Sequence, residues 1–274
     1  MIVTRFAPSP TGALHLGHAY AALTAEAAAR EAGGRFLLRI EDIDRTRCRP
    51  GFVAGLLADL AWLGLRWEEP VRVQSEHFAE YQVALDELAA RGLLYPCFCT
   101  RKDIAAAATA PHGPEGLVYP GICRRLSAAE RAERIAAGQP YALRLDMAAA
   151  CRAVGALVWH DRLAGAVTAR PERFGDVVLA RKDCPASYHL AVTFDDAGQG
   201  VTLVTRGEDL FAATDLHRLL QALFGWPVPE YAHHPLLRGP DGRRLAKRDG
   251  ARTLSSLREA GYGPGEVRQM AGAH

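Results

Sequence analysis

Two histidines near the start of the chain, His15 and His18, are spaced so that they could act together. They follow a loop rich in Pro and Gly, and they open an alanine-rich stretch that predicts a helix over residues 14–32. A helix N-terminus carries unpaired N–H groups and a positive dipole end, and Gly17 lets the backbone approach a ligand closely. The pair is therefore a candidate phosphate site. Surface caps or a chance metal pair are the alternatives.

A basic segment near the other end of the chain could close over such a phosphate. Residues 243–248 read Arg-Arg-Leu-Ala-Lys-Arg and are surrounded by glycines at positions 239, 242 and 250. A mobile basic loop can bind a triphosphate and hold the leaving pyrophosphate. Taken alone, the segment is also typical of a solvated basic turn.

Three cysteines that lie close together in the sequence could bind a metal ion. Cys97, Cys99 and Cys123 surround a stretch rich in Gly and Pro. In a reducing compartment such a cluster suggests metal before disulfides, and structural zinc takes four ligands. The candidates for the fourth ligand are Tyr119, His112, Cys48, Cys151 and Cys184. Ligand chemistry alone favours the imidazole of His112, and reduced cysteines without a metal are the alternative.

The elements that must position these residues alternate between strand and helix. A strand over residues 2–6, the helix over 14–32 and a strand over 35–40 form a βαβ unit, which predicts a parallel sheet. Further helices are predicted at 52–63, 78–91, 127–137 and 214–224, with weak helix after a turn-rich tail that begins at 235. Further strands are predicted at 143–145, 156–160, 177–180, 189–194 and 201–205.

A change of composition between residues 95 and 138 predicts an insertion into this α/β unit. The expected fold is a Rossmann-like parallel sheet with an inserted zinc-containing subdomain. The predicted parts are the first half of the catalytic domain (1–95), the inserted subdomain (96–170), the second half (171–228), and the basic loop with a short helical remnant (229–274).

Composition also limits the partners and the location of the chain. A net charge of only +2 gives no polybasic arm, so any RNA contact must depend on local clusters of Arg and Lys. The sequence has neither the pattern of a signal peptide nor an apolar run long enough to cross a bilayer. We therefore expect a cytoplasmic monomer with no membrane partner.

The histidine pair and the basic segment together resemble the two signatures of class I aminoacyl-tRNA synthetases. Residues 15–18, His-Leu-Gly-His, resemble the HIGH motif, and residues 244–248, Arg-Leu-Ala-Lys-Arg, resemble the KMSKS loop. The serine of that loop is Ala246 here, which leaves the conformation of the loop open. The resemblance implies that His15, His18 and Lys247 are catalytic, and that these three and Gly17 bind ATP.

Four further segments resemble the glutamate-specific members of that family. They are residues 5–12, 39–47, 186–192 and 204–210. The implied glutamate-binding residues are Arg5, Phe6, Ala7, Pro8, Ser9, Glu41, Tyr188 and Arg206. A guanidinium fork at Arg5 would bind the side-chain carboxylate and reject neutral glutamine, and Glu41 would pair with the α-ammonium group. A structural Tyr188 and a surface Arg206 are the alternatives.

The resemblance also implies the cofactors and the acceptor. Tyr119 and Cys123 have the spacing of one short subgroup, in which zinc is bound by the equivalents of Cys97, Cys99, Tyr119 and Cys123. That subgroup lacks an anticodon-reading domain, uses ATP and Mg²⁺ to activate glutamate, and transfers it to queuosine in the anticodon of tRNA(Asp). The candidate RNA contacts are Arg124, Arg125, Arg131, Arg134, Arg248 and Arg252, and a solvated charge is the alternative for each of them. A short synthetase charging the 3′ end of tRNA, a non-catalytic RNA-binding paralogue and a nucleotidyltransferase for a small acceptor are the alternatives.

Overall fold

Strands and helices alternate through the computed structural model, which describes residues 1–100, 102–104, 112–114, 116–237 and 252–272. The described strands are β1 (Val3–Phe6), β2 (Arg35–Ile40), β3 (Glu68–Val73), β4 (Leu94–Cys97), β5 (His112–Gly113), β6 (Gly116–Leu117), β7 (Ala142–Leu145), β8 (Val158–Asp161), β9 (Gly165–Thr168), β10 (Val178–Arg181), β11 (Leu203–Gly207) and β12 (Glu230–His234). The longer helices are α1 (Leu16–Glu31), α2 (Pro50–Trp62), α3 (Phe78–Ala90), α4 (Ala128–Ala136), α5 (Met147–Val154), α6 (Tyr188–Gly198), α7 (Ala213–Phe224), α8 (Leu254–Glu259) and α9 (Pro264–Met270).

The first three strands form a parallel sheet in the order β1-β2-β3. All four residues of β1 are buried, as expected for a strand covered on both faces. Helix α1 connects β1 to β2 and buries small residues such as Ala22 and Ala25. It ends before Gly33, whose φ of 58° favours glycine. The predicted βαβ unit is confirmed.

The second half of the chain forms a mainly parallel sheet of its own in the order β11-β12-β8-β9, which lies beside the first. Strands β11, β12 and β8 are parallel to one another, and β9 is antiparallel to β8. Strand β11 lies next to β1, since the Thr202 amide donates to the Val3 carbonyl oxygen at 3.0 Å. The predicted Rossmann-like parallel sheet is therefore confirmed. Strand pairing crosses the predicted boundary at residue 170, because β8 pairs with β12 and β7 pairs with β10. The division into domains stays a prediction.

A separate antiparallel sheet, in the order β10-β7-β4, supports the region of the cysteines. Helix α4 follows the cysteines, and Ser127 caps it by accepting from the Glu130 amide at 3.2 Å. The predicted helix over residues 127–137 is confirmed within one residue at each end.

The prediction of a strand over residues 189–194 is wrong, because these residues belong to helix α6. Ser187 begins this helix by accepting a hydrogen bond from the Leu190 amide at 3.3 Å. Seven of its residues are buried, so the sequence lacks the polar face that reveals most surface helices. The run Val192-Thr193-Phe194 has the residue types of a strand. Other elements that were not predicted from the sequence include β3, β4, β9, β12 and α5.

The C-terminal helices pack on the first sheet. Leu254 and Leu257 of α8 and Val267 of α9 belong to the same core cluster as Leu23 of α1. This packing brings the chain after residue 251 back to the start of α1. Within the described ranges, no helix is both long enough and apolar enough to span a membrane.

Candidate active site and metal centre

The two predicted catalytic histidines lie together at the N-terminus of α1. Their ring centroids are 3.8 Å apart. The Gly17 amide donates to Nδ1 of His15 at 3.1 Å, and the His15 amide donates to Nδ1 of His18 at 3.2 Å. Because each Nδ1 accepts, the ring proton of each neutral imidazole lies on Nε2. The arrangement thus presents two N–H donors at a helix N-terminus, as a phosphate site requires.

A cavity of about 180 Å³ adjoins these histidines. Gly17 and Tyr20 of α1 form one wall, and Gly207, Leu236 and His234 form another. A Cβ atom on Gly207 would lie 2.5 Å from Oδ1 of Asp209 and 2.7 Å from a methyl group of Leu236, so a larger residue here would require these side chains to move. The cavity lies at the carboxyl ends of β11 and β12, where open α/β sheets bind ligands.

The described residues on either side of positions 238–251 lie near the same cavity. Leu237 lines it, and Thr253 pairs with His15 in an antiparallel bridge. Residues 238–251, which connect these two points, lie outside the described residues. The predicted ATP-binding and catalytic role of Lys247 therefore stays a prediction.

Arg5 forms part of a buried network of charges. Its Nε donates to Oδ1 of Asp196 at 3.0 Å, and its Nη1 donates to the Thr205 carbonyl oxygen at 3.2 Å. The same Asp196 oxygen accepts from Nη1 of Arg39 at 2.8 Å. Burial raises the pKa of Asp196, but Arg5 and Arg39 outweigh burial, so the net direction is downward. Asp196 is therefore a permanent anion that orients both arginines.

Arg206 is also buried but has neutral partners. Its Nε donates to Nε2 of His233 at 3.1 Å, and its Nη2 donates to Oγ1 of Thr214 at 2.6 Å. Its Nη1 lies 3.2 Å from Nδ1 of His217. Only 6% of the residue is exposed. The alternative of a surface arginine is thus excluded.

Glu41 and Tyr188 face a larger cavity of about 980 Å³. Burial raises the pKa of Glu41, against the opposing effects of Arg39 and Arg5. Burial likewise raises the pKa of Tyr188, on which the charges of Arg206 and Glu41 act in opposite directions. The Tyr188 hydroxyl therefore lies within electrostatic reach of a buried cation and a buried anion.

The opening segment has a mixed role in this cavity. Ser9 lines it, whereas Phe6 is 7% exposed and belongs to the core between α1 and the sheet. The Pro8 carbonyl oxygen accepts from the Glu41 amide at 3.0 Å, which fixes the two predicted glutamate-binding segments to each other. Ala7 is half-buried between them.

The cysteine cluster assembles as the sequence predicted. The Sγ atoms of Cys97, Cys99 and Cys123 lie within 4.8 Å of one another, and those of Cys99 and Cys123 are 3.4 Å apart. The hydroxyl oxygen of Tyr119 is 3.6 Å from Sγ of Cys99. Ligands at about 2.3 Å from a tetrahedral zinc would be roughly 3.8 Å from each other, so the three thiols and the phenol fit such an ion.

The other candidates for the fourth ligand are placed differently. Cys184 directs its thiol toward the Ala186 carbonyl oxygen at 3.1 Å, and Cys151 lies in α5. The side chain of His112 lies outside the described residues. Tyr119 is therefore the candidate whose oxygen the structure brings to the three thiols.

The chain matches one family over residues 1–271: class I tRNA synthetases (E and Q), catalytic domain. The chain belongs to this family. It is 51% identical to a glutamyl-Q tRNA(Asp) synthetase of Rhodobacter capsulatus over 99% of this chain and 100% of the relative. It is 51% identical to a glutamyl-Q tRNA(Asp) synthetase of Nocardia farcinica over 96% of this chain and 81% of the relative.

A solved class I structure supports the same assignment. A crystal structure of a glutamate tRNA ligase from Elizabethkingia meningosepticum in complex with its amino acid has a TM-score of 0.83 and 29% identity. The match covers 98% of this chain and 60% of that chain. The chain is accordingly a ligase-type enzyme of the class I synthetase family.

Five buried side chains that were not predicted from the sequence lie around the predicted site residues. They are Arg39, Asp195, Asp196, His217 and His233. Asp195 accepts from Nε of Arg72 and Nε2 of Gln74, both at 2.7 Å. The available signal was a pair of acidic residues, Asp195-Asp196, inside an apolar run. The strand predicted over residues 189–194 ended just before these two acidic residues, so they were not assigned to a buried helix.

At least three of the predicted RNA contacts interact with other residues of the protein. Nη1 of Arg124 lies 3.0 Å from Oδ2 of Asp176, and Nη2 of Arg131 donates to the Arg124 carbonyl oxygen at 2.8 Å. The guanidinium of Arg134 lies over the ring of Phe98 at 5.6 Å. Arg248 lies outside the described residues. RNA contact by these arginines stays a prediction.

Proposed function

We propose that this synthetase activates L-glutamate with ATP and transfers the glutamyl group to queuosine in the anticodon of tRNA(Asp). The observation that carries glutamate recognition is the charge arrangement around Tyr188. A buried anion, Glu41, and a buried cation, Arg206, both act on its hydroxyl, and Arg206 has neutral partners among the described residues. An amino acid with an acidic side chain supplies the complementary ammonium and carboxylate groups.

In the proposed binding mode, Glu41 pairs with the α-ammonium group of the substrate. Arg5 and Arg206 bind the γ-carboxylate, and Tyr188 lies between them. Asp196 keeps Arg5 oriented, since it accepts from Nε while Nη1 donates to the Thr205 carbonyl oxygen. Glutamine would leave the Arg206 guanidinium, whose partners are neutral, without a carboxylate, which disfavours it.

In the first step, an oxygen of the glutamate α-carboxylate attacks the α-phosphorus of Mg-ATP. A new O–P bond forms as the bond to the β-phosphate oxygen breaks, giving glutamyl-adenylate and pyrophosphate. His15 and His18 are proposed to donate from Nε2 to the α-phosphate, and Lys247 to the leaving pyrophosphate. Their contribution is positioning and neutralisation of charge.

In the second step, a hydroxyl oxygen of the queuosine cyclopentene ring attacks the activated carbonyl carbon. An ester forms, the hydroxyl proton is lost and AMP leaves. This acceptor is supported by the relatives in Rhodobacter capsulatus and Nocardia farcinica, which are glutamyl-Q tRNA(Asp) synthetases. The cavity beside Glu41 is large enough, at about 980 Å³, to admit a nucleoside next to the amino acid.

The cysteine cluster is proposed to hold structural zinc through Cys97, Cys99, Cys123 and Tyr119. Four protein ligands close the coordination sphere, so the ion would stabilise the fold around the cysteines and take no part in the two steps. Magnesium enters with ATP as part of the substrate. We further propose that the protein acts as a monomer in the cytoplasm.

Amino-acid-dependent exchange between ATP and labelled pyrophosphate tests the first step. With a panel of amino acids and no tRNA, we expect rapid exchange with glutamate and little or none with glutamine. Equal exchange with both would contradict the proposed carboxylate recognition. No exchange with any amino acid would favour the non-catalytic RNA-binding paralogue.

Labelling of two matched tRNA preparations tests the acceptor. We expect transfer of labelled glutamate to tRNA(Asp) that carries queuosine and none to the same tRNA without it. Unchanged labelling of the queuosine-free tRNA would refute the anticodon acceptor. Labelling of tRNA(Glu) that periodate oxidation of its 3′ end abolishes would instead support a short synthetase that charges the acceptor end.

A further inference from the structure

The hydrogen bonds around Arg206 determine the protonation of its two histidine partners. A guanidinium can only donate, so Nε2 of His233 and Nδ1 of His217 must both accept. The ring proton of His233 is then on Nδ1, which lies 2.7 Å from Oδ2 of Asp161. The ring proton of His217 is on Nε2, which lies 3.2 Å from Nδ1 of His189. Each histidine is thus neutral, with its accepting nitrogen held toward Arg206.

The partners of Arg206 differ from those of the other buried arginines, Arg5 and Arg39. Arg5 and Arg39 each lie within 3.0 Å of a carboxylate oxygen of Asp196. In the described part of the chain, no carboxylate lies within ion-pair distance of Arg206. Asp161 is the nearest acid in the hydrogen-bond chain, and the ring of His233 separates it from Arg206.

We propose that His217 and His233 are positioning residues that hold Arg206 through neutral acceptors and so keep its charge available for the substrate carboxylate. These two residues are called the histidine collar below. The inference rests on the proposed function, because it assumes that Arg206 binds the side-chain carboxylate of glutamate.

The collar solves a problem that a carboxylate acceptor would create. A buried guanidinium needs acceptors for its N–H groups, since unsatisfied buried donors are costly. A carboxylate would satisfy them but would also compete with the carboxylate of the substrate. Two imidazoles and the Thr214 hydroxyl take three of the five N–H groups without supplying a negative charge, and two N–H groups remain for a ligand.

Matched pairs of isosteric substitutions test this role. At position 217, Asn can place an amide oxygen where Nδ1 accepts, and Asp places a charged oxygen there. At position 233, Gln and Glu do the same for Nε2. His217→Asn and His233→Gln should keep the glutamate Kd, measured by calorimetric titration, within about threefold of the parent enzyme. His217→Asp and His233→Glu should raise it by at least about tenfold, because the new carboxylate pairs with Arg206.

A second readout separates the collar from a merely structural role. In pyrophosphate exchange, the charged variants should lose discrimination between glutamate and glutamine, whereas kcat at saturating glutamate should fall much less than kcat/KM. His160, whose side chain is 56% exposed, offers the control pair His160→Asn and His160→Asp. Both control variants should match the parent enzyme.

The outcomes distinguish the collar from the proposed function. If the parent enzyme shows no glutamate-dependent exchange, the proposed function fails. If the parent enzyme is active but the charged and neutral variants behave alike, the collar inference fails. The inference predicts that the new carboxylate pairs with Arg206, so that the charged variants fold. If both charged variants unfold while the neutral ones fold, the new carboxylates are unpaired buried charges and the collar inference fails.

Discussion

Arg5 on β1 and Asp196 on α6 are joined by a buried hydrogen bond of 3.0 Å across 191 sequence positions. The bond connects the first strand to the helix that precedes β11. Because the Asp196 carboxylate accepts from Nε, it fixes the plane of the Arg5 guanidinium. Arg5, which is predicted to bind the substrate carboxylate, is therefore held in a fixed orientation before any ligand binds.

Replacing Arg5 with Gln should abolish the preference for glutamate. The variant loses a buried cation that is proposed to bind the γ-carboxylate, so kcat/KM for glutamate should fall by about 100-fold or more, with a much smaller change for glutamine. Pyrophosphate exchange with both amino acids measures the ratio. Arg30→Gln, at a side chain that is 62% exposed, is the control and should leave the ratio unchanged. Intact glutamate preference in the Arg5 variant would refute the assignment.

Glu41→Gln should weaken binding of the substrate ammonium group and remove a pH dependence. Burial raises the pKa of Glu41, so this carboxylate takes up a proton at a higher pH than an ordinary glutamate does. In the parent enzyme, KM for glutamate should therefore rise as the pH falls. In the variant, KM should be high throughout and flatter with pH. A steep dependence that survives the substitution would show that another group is responsible.

A site residue could be predicted from the sequence when its partners are close to it in the sequence. The His15–His18 pair and the cysteines were predictable, because short spacings and a helix start determine where they lie. The partner of Arg5 was not, because Asp196 becomes its neighbour only after β1, β2 and α6 pack together. The histidine collar was hidden for the same reason, since His217 and His233 come from α7 and β12.

Patterns of apolar and polar residues also failed to predict an element where burial on most sides removed the contrast between its faces. Helix α6 is buried on most sides, so its sequence has no polar stripe with a helical period. Strand β12 contains two adjacent histidines, His233 and His234, which are not typical of a parallel strand. Both elements carry residues of the site. The burial of α6 and the histidines of β12 place these residues at the candidate site, and the same two features made the elements hard to predict.

Tyr119→Phe should weaken zinc binding without removing the three thiols. The substitution deletes the hydroxyl that lies 3.6 Å from Sγ of Cys99 and that also accepts from the Cys123 amide at 2.7 Å. We expect substoichiometric zinc after dialysis against a chelator, and a lower melting temperature that added zinc partly restores. Tyr141→Phe is the control, at a tyrosine that is 37% exposed. If the parent enzyme without zinc is fully active and as stable as the parent enzyme with zinc, the proposal of a metal centre is wrong.

His233→Gln should flatten the pH dependence of folding stability in the acidic range. Burial, followed by the charge of Arg206, lowers the pKa of His233 to about 4, and the hydrogen bond with Asp161 opposes this effect only in part. In the unfolded chain the pKa of a histidine is about 6.5. Between these values the unfolded chain binds more protons, so the free energy of unfolding should decrease as the pH falls from about 6.5 to about 4.

The slope of that decrease is the quantity to measure. Urea unfolding at a series of pH values should give a shallower slope for His233→Gln than for the parent enzyme. Some slope should persist, because burial also lowers the pKa of His217. The control His160→Gln, at an exposed ring, should retain the parent slope. If His233→Gln and the parent enzyme lose stability in parallel over this range, His233 is not held neutral in the folded protein and the hydrogen-bond assignment around Arg206 is wrong.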